Sequence, residues 1–118
     1  MQSDQQIPNF VINLGTVEKI NQIVHNFSDF LFVVMFTSPW CGACKSYLPI
    51  FEKAQKKFNK EGIIFAKVDV NDLPEVAQQF KVMGTPTTIF IKNQKVKGKQ
   101  VGMVTMGKIN DLINQYIN

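Results

Sequence analysis

Trp40-Cys41-Gly42-Ala43-Cys44-Lys45 lies between two stretches of opposite character. Before it, Phe30 to Phe36 is apolar without alternation. A short continuous run rich in Phe and Val suits a strand covered on both faces. Thr37-Ser38-Pro39-Trp40 breaks that run. After the cysteines, Leu48, Phe51, Ala54 and Phe58 recur at helical spacing. A strand buried on both sides needs helices on both sides, so this stretch selects an α/β architecture.

Reading outward gives the order β-α-β-α-β-α-β-β-α. Ile7 to Leu14 reads as a first strand, with Pro8 marking an edge where a missing amide is tolerated. Thr16 is a candidate N-cap for a helix whose apolar face is Val17, Ile20, Val24 and Phe27. The helix after the cysteines runs from about Cys41 to Asn59 and holds Pro49, which deletes one amide bond and predicts a kink. Ile63 to Val70 is the next strand. Asp72 as N-cap with Glu75 three residues on predicts a short helix carrying Val76, Ala77 and Phe80. Met83-Gly84-Thr85-Pro86 is a turn whose X-Pro bond is a candidate for the cis form. Thr87 to Lys92 and Lys95 to Val101 read as a hairpin about Asn93-Gln94. In its second strand Lys95, Lys97 and Lys99 alternate with Val96, Gly98 and Gln100, the pattern of a solvated, lysine-protected edge. Thr105 caps a last helix burying Ile109, Leu112, Ile113 and Tyr116. A parallel unit followed by a hairpin implies a mixed sheet, five-stranded and flanked by four helices.

The chain has 118 residues and is 45% hydrophobic, which fits one domain, residues 1–118, with one core. Residues 1–6 are expected to be flexible. The net charge of +4 is carried entirely by Lys. Without the forked guanidinium of Arg, dedicated phosphate or nucleic-acid recognition is not expected. Two cysteines cannot make a disulfide-dense secreted scaffold. Met1 to Gln6 lacks the basic start and apolar stretch of a signal peptide, and Phe30 to Phe36 is too short to span a bilayer. The expected address is cytoplasmic and reducing, with no membrane partner.

The spacing of Cys41 and Cys44 carries chemistry. In disulfide exchange the thiolate attacks, so the reaction needs one acidified, accessible cysteine and a second close enough to resolve the mixed disulfide. A C-x-x-C at a helix start supplies both. Cys41 sits near the N-cap, where free amides and the helix dipole favour a negative sulfur; Cys44 is one turn further in. Cys41 is therefore the candidate nucleophile and Cys44 the candidate resolving thiol. A structural zinc site wants four ligands, whereas the chain has two Cys and one histidine, His25. A pair of inert buried cysteines fits poorly with Trp, Gly and Lys around it.

The chain resembles the thioredoxin family. Trp40 to Lys45 is similar to the family's W-C-G-P-C-K signature. Pro49 matches the helix-kinking proline, and Lys67 a lysine beneath the dithiol. Gly84-Thr85-Pro86-Thr87 matches the segment of the cis-proline, and Gly102 the glycine flanking the substrate groove. The matches run in order from about residue 10 to residue 118. The resemblance implies the thioredoxin fold and a groove built from Trp40, Thr85, Pro86, Val101 and Gly102, with Gly42 and Ala43 also binding substrate. It implies an extended peptide bound beside Pro86, a catalytic set of Cys41, Cys44 and Lys67, and no bound cofactor. It also implies a monomer that acts on disulfide-containing proteins and is recharged by a reductase of the thioredoxin reductase type.

Three positions depart from the pattern. Ala43 replaces a proline and adds an amide able to hold a thiolate, which favours the reduced form and a more oxidising disulfide. Met35 stands where the family usually has a buried aspartate, so deprotonation of Cys44 depends on water, Lys67 or nothing, and slower resolution of the mixed disulfide is expected. Thr85 replaces an apolar residue and makes the groove more polar. The leading expectation is a protein-disulfide reductase. A thiol oxidase or isomerase of the same fold, and a binding module without chemistry, are the alternatives.

Overall fold

The computed structural model describes residues 8–59 and 62–117. The expectation for residues 1–6 falls outside them. Nine elements follow one another: β1 (Ile12–Asn13), α1 (Val17–Asn26), β2 (Leu31–Thr37), α2 (Gly42–Lys57), β3 (Ile63–Asp69), α3 (Pro74–Gln79), β4 (Thr87–Lys92), β5 (Lys95–Val101) and α4 (Met106–Tyr116). The strands form one mixed sheet in the order β1-β3-β2-β4-β5. β1, β3 and β2 are parallel; β4 runs antiparallel to β2, and β5 to β4.

β2 is central because its sequence allows nothing else. Leu31 to Phe36 are all buried. Leu31, Val33 and Met35 enter one cluster with Tyr47, Phe51 and Ala54 of α2 and Ile109 and Ile113 of α4. Phe32, Val34 and Phe36 enter the other with Phe27, Leu73 and Ala77, against which Ile20, Ile23 and Val24 of α1 pack. Alternate side chains of one strand thus hold two helical layers, as its unbroken apolar run predicts.

Local chemistry sets most element ends. Thr16 and Thr105 cap α1 and α4, their hydroxyls accepting from Lys19 N at 3.1 Å and Lys108 N at 3.2 Å. Asn93 and Gln94 both take positive φ, the signature of a tight hairpin turn. α2 continues through Pro49.

Other expectations need correcting. Among the described residues the first strand spans only Ile12–Asn13, where Ile7 to Leu14 is expected and Ile7 lies outside them; Phe10 is 61% exposed, and the strand has one neighbour, β3. On α1, Val17 at the first turn is exposed, and Ile23 takes its place on the apolar stripe. Asp72 does not cap α3. The residue before a proline is pushed out of the helical region, so Leu73 occupies the N-cap position with φ −129° and Pro74 begins the helix. The side chain that organises this turn is Asp69, whose Oδ1 accepts from Asn71 N at 2.7 Å. In β5 the even alternation fails: Phe90 pairs with Gly98 and Ile91 with Val96, leaving Lys97 as the extra residue of a bulge. Lys99 donates to Lys81 O at 2.5 Å and Phe80 O at 3.2 Å, the free carbonyls at the end of α3.

Candidate active site

The site lies at the C-terminal end of β2, where the chain turns from Thr37 into α2. Cys41 is the N-cap of α2, with φ −98° and ψ 106°. Its backbone N–H donates to Ser38 O at 3.4 Å, and its carbonyl accepts from Lys45 N at 3.3 Å. Its Sγ accepts from Cys44 N at 3.0 Å. The sulfur therefore stands where the free amides of the first turn point. Cys41 and Cys44 are joined by a disulfide with Cα atoms 5.2 Å apart. Cys41 is half-buried and Cys44 is 3% exposed. The difference follows from position: Cys41 sits at the rim and Cys44 one turn inside, against Met35 and Tyr47.

Two loops from distant parts of the chain meet this turn. The Thr85–Pro86 peptide bond is cis, and Pro86 is buried. Ser38 and Thr85 share a hydroxyl–hydroxyl hydrogen bond of 3.4 Å. Thr87 Oγ1 donates to Gly84 O at 2.6 Å and fixes the turn from below. Gly102 N donates to Pro86 O at 2.8 Å, and Gly102 has φ +88°, a conformation that a side chain would strain. Around this junction Trp40 is 84% exposed and Val101 75%. Gly42 and Ala43 are also exposed.

A model of the family described as Thioredoxin matches residues 11–115. The chain belongs to the thioredoxin family. It is 39% identical over 94 residues to thioredoxin H5 of Arabidopsis thaliana, covering 78% of each protein. Among solved structures it superposes on the thioredoxin of Schistosoma mansoni with a TM-score of 0.82 and 33% identity. That alignment covers 92% of this chain and 97% of the other. Thioredoxin NaTrxh from Nicotiana alata aligns with a TM-score of 0.83 and 26% identity, over 98% and 100% of the two chains. The five-stranded mixed sheet and four helices are the thioredoxin fold. The chain is a thiol-disulfide oxidoreductase, and its activity is protein-disulfide reduction.

Within the thioredoxin framework the sequence-derived residues fall into two groups. Cys41, Cys44, Thr85, Pro86 and Gly102 are linked by the bonds above. Trp40 and Val101 stand exposed beside them, with no side-chain hydrogen bond joining Trp40 to the rest. Lys67 is set apart. It lies on β3, the strand between β1 and central β2, as the register partner of Met35. No hydrogen bond ties its ammonium to the dithiol. His25 lies exposed in the last turn of α1. Among the described residues no three His, Cys, Asp or Glu side chains come together as a metal site. No described helix is long and apolar enough to cross a membrane.

Sequence reading missed two residues of this region. Tyr47 is fully buried on α2, and its hydroxyl meets that of buried Thr88 at 2.8 Å. Burial pushes the Tyr47 hydroxyl above its ordinary pKa, with the Thr88 hydrogen bond pulling weakly the other way. The available signal was chemical: a Tyr on the apolar face of a helix and a Thr in an apolar strand each need a partner for a hydroxyl.

Proposed function

We propose that the chain reduces protein disulfides through a covalent intermediate on Cys41. The Cys41 thiolate attacks one sulfur of a substrate disulfide; a Cys41–substrate bond forms and the other substrate sulfur leaves with the electron pair. Cys44, deprotonated, then attacks Cys41 Sγ. The Cys41–Cys44 disulfide forms, and the second substrate thiolate departs and takes up a proton. The dithiol has lost two electrons and the substrate has gained them. Trp40, Gly42, Ala43, Thr85, Pro86, Val101 and Gly102 form the substrate groove, and Lys67 assists the buried thiol. A reductase of the thioredoxin reductase type returns the electrons. The whole chain, 1–118, acts as one domain, a monomer in a reducing, cytoplasmic setting.

The observation that carries this reading is the Cys44 N–H directed at Cys41 Sγ from 3.0 Å. A donor so placed, at a helix start, stabilises a sulfur anion at Cys41 and not at Cys44. The test is Cys44→Ser. With a soluble disulfide protein such as insulin, this variant accumulates a mixed disulfide on Cys41 and loses turnover. Absence of any trapped species, with no turnover in the parent chain, would sink the reading. Ala43 favours a second reading, a more oxidising member of the same fold: its backbone N–H is one that the family's proline lacks.

A further inference from the structure

The layer beneath the dithiol is apolar except for one hydroxyl pair and, across Met35 from it, Lys67. Leu31, Val33, Met35, Cys44, Phe51 and Phe65 share a buried cluster with Tyr47. Tyr47 follows Cys44 by three residues on α2, so the two lie on one face of the helix. Thr88 is the β4 partner of Met35, and cross-strand partners share a face of the sheet. The two hydroxyls therefore meet in the layer that holds Met35 and Cys44, at 2.8 Å from each other. Two hydroxyls carry two protons, and their mutual bond uses one. Among the described residues, neither hydroxyl makes a second hydrogen bond. A spare O–H so deeply buried is costly unless an acceptor arrives.

We propose that the acceptor is the Cys44 thiolate: the Tyr47–Thr88 pair supports the resolving step by stabilising the anion that Met35, lacking a polar group, cannot. The role rests on Cys44 being the resolving thiol. In the disulfide state the Cys44 sulfur is neutral and calls for no donor. In the resolving step the Cys44 proton passes to water and the thiolate attacks Cys41 Sγ. The Cys41–substrate bond breaks, and the departing sulfur leaves with the electron pair. The hydroxyl pair gains and loses no proton, because burial keeps Tyr47 neutral where the dithiol works. The strands and helix packed over this layer bring one charged side chain to the row, Lys67 of β3, on the other side of Met35 from Thr88. The α4 residues facing it are Ile109, Leu112 and Ile113.

The test follows the Cys44 ¹³Cβ chemical shift against pH in the reduced full-length chain. Tyr47→Phe and Thr88→Val each raise the Cys44 midpoint by about one pH unit, the scale of one hydrogen bond to a charged group. Thr88→Ser, which keeps the hydroxyl, stays at the parent value. Release of product from a preformed Cys41 mixed disulfide slows about threefold near neutral pH in the first two variants, a roughly tenfold smaller thiolate fraction being partly offset by a more nucleophilic thiolate. An unmoved midpoint in Tyr47→Phe and Thr88→Val overturns the proposal, and so does an equal rise in Thr88→Ser. Should Thr88→Val not fold, the isosteric Tyr47→Phe decides alone. Failure of the underlying reading shows separately, as a Cys44→Ser variant that traps no substrate.

Discussion

At the scale of single residues, the redox poise is expected to answer to position 43. The amide of Ala43 joins that of Cys44 among the free donors of the first helical turn. Ala43→Pro removes it. Losing one charge-assisted bond lowers the reduction potential by roughly 30 mV, read by equilibration against glutathione. An unchanged or higher potential would mean that this amide does not serve the thiolate. Tyr47 makes a prediction about alkaline stability. Its folded pKa lies above the unfolded value, so the folded state holds its proton longer. The corresponding stability is complete below about pH 10 and is lost as pH rises through the folded pKa. Tyr47→Phe should flatten the fall in urea midpoint above pH 10 relative to the parent. A parallel fall in both proteins would show that Tyr47 contributes nothing to it.

At the scale of elements, legibility followed locality. β2, α2 and the caps at Thr16 and Thr105 were readable because each is dictated by side chains within a few positions. The cysteine pair and Pro86 were readable for the same reason: their chemistry is written in a short motif. β1 shrank because an edge strand with one neighbour has little pairing to extend it. Asp72 lost its capping role to the backbone preference imposed by Pro74. The bulge at Lys97 was invisible, because its neighbourhood is set by a residue far along the chain. A Cβ added at Gly98 would stand 2.7 Å from Tyr116 Cζ and 2.8 Å from Cε2, while Tyr116 packs its ring 5.2 Å from that of Phe90. Gly98→Ala therefore forces Tyr116 off the sheet. The expected cost is about 1–3 kcal/mol by urea unfolding, the range for overpacking, with a changed near-ultraviolet signal from Tyr116. A neutral outcome would mean that α4 shifts freely on β5. The Tyr47–Thr88 contact was hidden for the same reason as the bulge: α2 and β4 are brought together only by the sheet.

For the whole molecule, the disulfide is a poor staple. Its cysteines are separated by three positions, so it closes a very short loop. Chain-entropy arguments give such a loop about 2 kcal/mol at most, and the helix-start amides that hold a Cys41 thiolate offset part of it. Oxidised and reduced chains should differ in unfolding free energy by less than about 2 kcal/mol, measured in urea with and without dithiothreitol. A gap twice as large would show that oxidation reshapes the core. The fold is thus held by the two clusters that sandwich the sheet, and the dithiol is free to change state without a large penalty to either form.

The junction of Ser38, Pro86 and Gly102 has a consequence for synthesis. Both cysteines leave the ribosome well before Pro86, and Pro86 before Gly102. Until β4 pairs with β2 and β5 with β4, the growing chain carries the cysteine pair without the Pro86–Gly102 junction beside it. The junction is therefore completed last, when the hairpin closes, and a chain stalled before that point would present its two cysteines without it.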